Sequence, residues 1–377
     1  MSRFVLATVL LSGLCACGEH GRAVPEGRTS STPGRGGERG RAAFFPIGIF
    51  GVNDPAALAG LRREGFNAVQ TYEQAPASLN ALAKAAKKAG MKLLAYPQGL
   101  MASSVPVRGF PLAAWYLVDE PDVQKMPPED LCRLEKRVGA WDPGSPRAFV
   151  VGDGNKAAAY RDCGDVLMVD WYPVPHLPLE SAGDNVRTTV EAAANKPAWA
   201  VLQAFNWKDY PQRDPQKPRI GRFPELREIR FMTYHAVLAG AGGIWYYSYR
   251  KPEHKTLPDV PEEWFTVTSV ARELAAMRSI FEKGEPSRLP FPPEPWGVQA
   301  KAWRYHGRDY VIILNPFGDE ELLVPGELLA ADWRPLFEPR RYTRELLDHA
   351  GNGYYLPPYR VMVFESRFRP FRKGAAL

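Results

Sequence analysis

The residues of this chain best placed to do chemistry are acids that end apolar runs. Trp115-Tyr116-Leu117-Val118 leads straight into Asp119-Glu120-Pro121-Asp122, and Val166-Leu167-Met168-Val169 into Asp170-Trp171-Tyr172-Pro173. Two adjacent carboxylates after four apolar residues are costly to place unless they face an open mouth, and Pro121 forces an immediate turn. Carboxyl groups held close together separate in proton affinity, so one of them can act as an acid near neutral pH. A plainer reading makes Asp119 and Glu120 a solvated loop before a helix, a duty that Glu129 or Asp130 would discharge equally well.

The residues flanking these acids narrow the chemistry. Aromatic rings beside carboxylates suit sugars, whose C–H faces stack on the rings while their hydroxyls take the polar contacts. Trp171 and Tyr172 follow Asp170, and further apolar runs end in Gln70-Thr71-Tyr72-Glu73, Gln203-Ala204-Phe205-Asn206-Trp207 and Trp245-Tyr246-Tyr247. The expected site therefore has Glu120, Asp119 and Asp170 as its acids, and Tyr72, Trp171, Tyr172, Gln203, Trp207, Trp245 and Tyr247 as substrate contacts. Arg222, Glu225 and Arg227 open a helix and either line the rim or pair on its surface.

Side chains so far apart in sequence need a scaffold that gathers strand ends. From Phe45 onward, short apolar runs alternate with amphipathic stretches. The predicted strands are 46–51, 67–72, 92–97, 113–119, 147–152, 166–171, 198–205 and 243–248. Helical patterns cover 55–64, 77–89, 129–138, 155–163, 185–194, 224–239 and 262–281, and the third connection, 98–111, is short on helix. Runs such as WYLVD and AWAVLQ are continuously apolar, as parallel strands buried on both faces require. Eight such units over about 240 residues predict a (β/α)8 (TIM) barrel, whose active sites lie where its strands end. A doubly wound sheet would want a glycine-rich phosphate turn after an early strand, whereas the first strand here ends Phe50-Gly51-Val52-Asn53. Beyond Phe291-Pro292-Pro293 the pattern becomes short alternating runs at 298–305, 310–315, 321–324 and 359–364, which predicts a small antiparallel, sandwich-like β domain. The expected division is barrel 44–284, then β domain and basic tail 285–377.

These residues carry a family resemblance. A Glu-Pro pair closing strand four, a Tyr-Pro closing strand six and a Trp/Tyr-rich strand eight, in that order, resemble the glycoside hydrolase superfamily of (β/α)8 enzymes over residues 45–282. The resemblance implies that Glu120 is the general acid/base that protonates the glycosidic oxygen. The large retaining clan has Asn before this Glu, where this chain has Asp119. That clan also places a nucleophilic Glu at the end of strand seven, where this chain offers Gln203 and Asn206. Two courses remain. Asp170 can serve as second carboxylate, with a separation near ~5 Å meaning retention and more than ~6.5 Å inversion. Alternatively, Asp119-Glu120 resembles the adjacent acidic pair of enzymes acting on N-acetylhexosamines. There Asp119 would orient the substrate acetamide, Glu120 would be the acid, and Asp170 or Tyr172 would assist. The rival to both is a catalytically silent barrel that binds carbohydrate.

The 377 residues carry a net charge of +6, which raises nucleic acid as a partner. Arg3, five Arg against three Glu within 18–43, and Arg367, Arg369, Arg372 and Lys373 hold seven net positive charges, leaving 44–366 at −1. The body is near neutral, and no nucleic-acid partner is expected. Met1–Gly18 has one positive charge, an apolar run from Phe4 to Leu11, and then small residues and cysteine, the pattern of a secretory signal. Leu14-Cys15-Ala16-Cys17 resembles the bacterial lipobox, which implies cleavage before Cys17 and acylation of its thiol. Residues 18–43, rich in Gly, Arg, Ser, Thr and Pro, read as a tether. An exported, lipid-anchored monomer facing the periplasm or cell surface is expected. Besides Cys15 and Cys17, only Cys132 and Cys163 are present, on different predicted elements, in a compartment that permits a disulfide. With six scattered histidines they make no zinc spacing, so neither metal nor cofactor is expected.

Overall fold

A computed structural model describes residues 44–211, 220–293, 297–326, 333–338 and 353–367. The signal, Cys17, the tether and the basic residues beyond Arg367 lie outside them. The eight predicted strands are all present, as β1 (Ile47–Ile49), β2 (Ala68–Thr71), β3 (Lys92–Ala95), β4 (Leu112–Asp119), β5 (Arg147–Val151), β6 (Val166–Trp171), β7 (Ala198–Gln203) and β8 (Ile244–Tyr247). They form a closed parallel barrel in chain order, sealed where β8 pairs with β1 through Trp245 and Gly48.

Side chains on alternate positions explain the continuous apolar runs. Ala114 and Tyr116 of β4, Val150 of β5 and Val201 of β7 point into the barrel, while Trp115 and Leu117 face the surrounding helices. The indole of Trp245 fills the interior: a Cβ on neighbouring Gly48 would lie 2.0 Å from it, so only glycine fits there. Each strand thus buries both faces, the arrangement an all-parallel sheet demands.

The helices are α1 (Ala57–Arg63), α2 (Pro76–Ala89), α3 (Gln98–Met101), α4 (Pro128–Trp141), α5 (Ala157–Tyr160), α6 (Glu180–Ala192), α7 (Leu226–Ala239) and α8 (Pro261–Lys283). The third connection holds the single-turn α3, in keeping with its weak pattern. The predicted helix 155–163 is broken instead, with α5 flanked by two 3-10 turns. Helix α6 begins five residues ahead of its predicted start, so Gly183 lies inside it. A Cβ there would meet the His235 ring of α7 at 2.3 Å, so close packing of the two helices outweighs the poor helix propensity of glycine.

After α8 the chain adds β9 (Glu285–Ser287), β10 (Gln299–Tyr305), β11 (Arg308–Leu314), β12 (Leu322–Pro325), β13 (Trp333–Leu336), β14 (Gly353–Leu356) and β15 (Val361–Ser366). Five of them form an antiparallel sheet in the order β13-β15-β11-β10-β9, and β12 pairs with β14. The alternating runs predict four of these strands. Strands β9 and β13 contain proline, and β14, Gly-Tyr-Tyr-Leu, has no polar residue to alternate. The β10–β11 hairpin turns on His306 and Gly307, both at positive φ (47° and 72°), the backbone a two-residue hairpin favours. This sheet is fastened to the barrel by Arg230 of α7. Its guanidinium pairs with Glu273 of α8 at 2.8 Å and Glu338 at 3.1 Å, and it donates to the Val361 carbonyl at 2.6 Å.

Cys132 of α4 and Cys163, just ahead of β6, are joined in a disulfide that spans 31 residues. Closing a loop of that length stabilises a fold by about 3–4 kcal/mol through the unfolded chain. Replacing both cysteines with serine should lower the urea-unfolding free energy by about 3 kcal/mol. Oxidised and fully reduced wild-type protein should differ by the same amount, and equal midpoints would show that the bridge adds nothing.

Candidate active site

The three acids meet because β4 is irregular. Tyr116 pairs with Ala148 of β5, but the next paired residue, Asp119, faces Val150, so three steps on β4 match two on β5. This bulge reverses the side-chain alternation. Val118 turns outward onto the helix-facing core, and Asp119 turns inward on the same side as Tyr116, whose hydroxyl donates to Asp119 Oδ1 at 2.5 Å. Glu120 follows at φ 45°, an uncommon conformation for a residue with a side chain. Its amide donates to the Val150 carbonyl at 3.0 Å, and its own carbonyl accepts from Val123 at 3.1 Å and Gln124 at 2.9 Å. A Cβ on Gly152, just past β5, would crowd Val123 Cγ2 at 2.8 Å and only touch Glu120 Oε1, at 3.4 Å.

Asp170 reaches the same place from the end of β6. Phe50, Tyr72, Tyr116, Asp119, Glu120, Val150, Asp170, Tyr172, Val201 and Tyr247 line one cleft at the C-terminal ends of the strands. Asp170 is 8% exposed, its carboxyl interacts directly with that of Glu120 and lies beside the Tyr172 phenol, and its Oδ1 is buried with no partner among the described residues. Burial raises its pKa well above the ordinary carboxylate range, and the negative neighbours Glu120 and Asp119 raise it further. Two carboxyls in hydrogen-bond contact at a desolvated site share a proton and titrate as a pair.

The phenols around the acids are pushed the same way. Burial, then nearby phenols and carboxylates, raise the pKa values of Tyr72, Tyr116 and Tyr172 well above the ordinary value. They therefore stay protonated and remain hydrogen-bond donors. Tyr96 backs this wall at 5.0 Å from the Tyr116 ring, and Tyr172 and Tyr247 face each other at 5.6 Å.

Tyr72, Tyr172 and Tyr247 line the cleft as expected of substrate contacts. Four other expected contacts stand elsewhere. Trp171 sits one residue past Asp170 and so points to the opposite face, where its indole N–H donates to Ser181 Oγ at 2.9 Å. Trp245 is fully buried as the plug of the barrel interior. Gln203 is also fully buried: its amide group donates to the carbonyls of Val174 and Phe205 and accepts from the Val174 amide. It pins the β6–α6 loop to β7. Trp207 is 6% exposed, packed behind Phe205 at 4.9 Å and Tyr172 at 6.3 Å. At the start of α7, Arg222 pairs with Glu228, and Glu225 is the N-cap residue of a capping box, so both serve the helix end.

Phe50, Tyr96 and Tyr116 were not anticipated. Tyr116 and Asp119, three residues apart, would point to opposite faces of a regular strand, and only the bulge unites them. The Tyr247–Ser248 peptide at the end of β8 is cis.

No protein-family model matches this chain, and no curated protein matches it in sequence. Solved structures match in fold. A structure described as a glycoside hydrolase superposes with a TM-score of 0.56 at 13% identity, covering 87% of this chain and 93% of its own. An alpha-amylase from Geobacillus thermoleovorans, complexed with acarbose, gives 0.52 at 12% identity, covering 88% and 100%. AbfB, a family 51 alpha-L-arabinofuranosidase from Bifidobacterium longum, gives 0.51 at 10% identity, covering 86% and 97%. At these identities the likeness is one of fold: the chain shares its architecture with structures of glycoside hydrolases.

Proposed function

We propose that this protein hydrolyses glycosidic bonds, with Glu120 as general acid/base. The observation that carries the reading is the contact between the Glu120 and Asp170 carboxyls in one cleft at the C-terminal mouth of the barrel. A pair that holds a proton while partly shut off from water is a source of acid at neutral pH, and a glycosidic oxygen needs one as it leaves. The barrel likeness to glycoside hydrolases supports the same chemistry.

The contact also bears on the course of reaction. Two carboxyls that flank an anomeric carbon stand ~5 Å or ~6.5–9.5 Å apart. The direct interaction of Glu120 with Asp170 supports a reading in which the two act together from one side of a sugar rather than across it. Among the described residues the end of β7 supplies no opposing carboxylate, and its Gln203 is committed to backbone. This favours the substrate-assisted course on a 2-acetamido sugar. Glu120 protonates the leaving oxygen, the acetamide oxygen bonds to the anomeric carbon, and water then opens that ring while returning a proton to Glu120. Asp119, accepting from Tyr116, is placed to orient the acetamide, and Asp170 balances charge beside Glu120. The Cys132–Cys163 bridge supports an exported location, while the lipid anchor rests on the N-terminal sequence alone.

The test is a panel of aryl glycosides and oligosaccharides that includes N-acetylhexosaminides. Turnover should appear with the acetamido sugars, and Glu120→Gln should reduce it by about 10²–10⁴-fold. Glycan binding with no turnover across the panel would replace the enzyme with the silent binder. Stability supplies a second check. The folded protein holds the Asp170 proton more tightly than the unfolded chain does. Asp170 therefore contributes most to stability below the ordinary aspartate pKa of about 3.9, and that contribution is lost as pH rises through the higher folded value. Asp170→Asn removes that loss, so its melting temperature should exceed that of wild type at pH 7, and the advantage should vanish below about pH 4. A variant less stable than wild type at pH 7 would contradict the protonated pair.

A further inference from the structure

Glu120 is the strained member of the site, and a residue two positions on holds it there. Asp122 is 7% exposed, and its carboxylate faces the end of β5. Its Oδ1 accepts from the Gly152 amide at 3.0 Å and its Oδ2 from the Asp153 amide at 3.2 Å. These amides lie just past β5, where no further strand pairing satisfies them. The turn from Glu120 to Gln124 is thus tied to β5 twice: by the Glu120 amide on the Val150 carbonyl before the turn, and by the Asp122 carboxylate after it. Between these ties lies Glu120 at φ 45°, a conformation that relaxes unless its surroundings hold it. Gly152, one of the two amides that Asp122 grips, is also the glycine beneath the Glu120 carboxyl. A Cβ there would press on Val123 Cγ2, at 2.8 Å, within the same turn, and would meet Glu120 Oε1 in ordinary contact at 3.4 Å.

We propose that Asp122 is a positioning residue: by clamping the Glu120 turn to the end of β5 it sets the place where the Glu120 carboxyl meets Asp170. Asp122 itself faces away from substrate, acting through Glu120. The role deepens the glycosidase reading and rests on it. Its geometric part, the placing of Glu120 against Asp170, can be measured without any substrate.

The experiment compares wild type, Asp122→Ala and Asp122→Asn. The alanine variant loses both acceptors, and the asparagine variant keeps one oxygen in the same shape. Two readouts are taken at a temperature where all three proteins are folded. The first is the titration of the Asp170 carboxyl by carbon-13 NMR, with Asp170→Asn to assign the resonance. In Asp122→Ala the Asp170 midpoint should fall, because Glu120 no longer lies against it, and Asp122→Asn should restore part of the wild-type value. The second is steady-state hydrolysis: kcat should drop by up to about 10²-fold in Asp122→Ala with KM little changed, and recover partly in Asp122→Asn. Wild-type Asp170 titration and kcat in both variants, with only the unfolding midpoint lowered, would make Asp122 a simple brace and overturn the proposal. If Asp122→Ala does not fold, Asp122→Asn decides alone, since losing one of two acceptors should still move the midpoint. If wild type hydrolyses no glycan, the glycosidase reading fails, and the Asp170 titration alone still decides what Asp122 does.

Discussion

Two carboxyl groups in contact at a buried site cannot both carry charge cheaply, and the mouth of this barrel is arranged around that constraint. Asp170 is desolvated at the end of β6, and Glu120 is brought against it from the end of β4. Keeping a proton between them is the low-energy solution. A site of this kind costs stability, which other parts of the molecule offset. The Trp245 plug and its glycine partner, the Arg230 network between barrel and β sheet, and the Cys132–Cys163 bridge all act away from the cleft.

Positioning falls to backbone irregularities rather than to regular strands. The β4 bulge decides which side chain enters the cleft, choosing Asp119 over Val118. The left-handed backbone at Glu120 then aims the next carboxyl toward β6. Asp122 and Gln203 do similar work on neighbouring loops, each spending its polar atoms on main-chain groups beside the site. The phenols of Tyr116 and Tyr172 complete the arrangement as donors that the local negative charge keeps protonated.

How far this was legible in the sequence depends on periodicity. Strands buried on both faces leave continuous apolar runs, so all eight barrel strands and the acids at their ends could be read directly. Alternation across a strand also separates Asp170 and Tyr172 from Trp171, and applying that rule strictly would have removed Trp171 from the cleft. Trp245 misled for a related reason. An aromatic-rich strand end looks like a sugar platform, whereas the space that accepts this indole is made by Gly48 on another strand. Tyr116 was hidden by the bulge, which leaves no mark in residue type. Strands β9 and β13 are short and carry a proline, and β14 has no polar residue to mark a period. The meeting of Cys132 with Cys163 depends on how α4 packs beside the segment before β6, a tertiary contact that spacing alone does not encode.

The central claim is that the proton shared by Glu120 and Asp170 is the one given to the leaving oxygen. It is tested most directly by the pH dependence of kcat/KM for an aryl 2-acetamido glycoside, set beside the titration of the Asp170 carboxyl in the same protein. The account predicts an alkaline limb that falls at the same apparent pKa as the carboxyl pair, above the ordinary carboxylate range. A rate that stays constant as the pair loses its proton would contradict it.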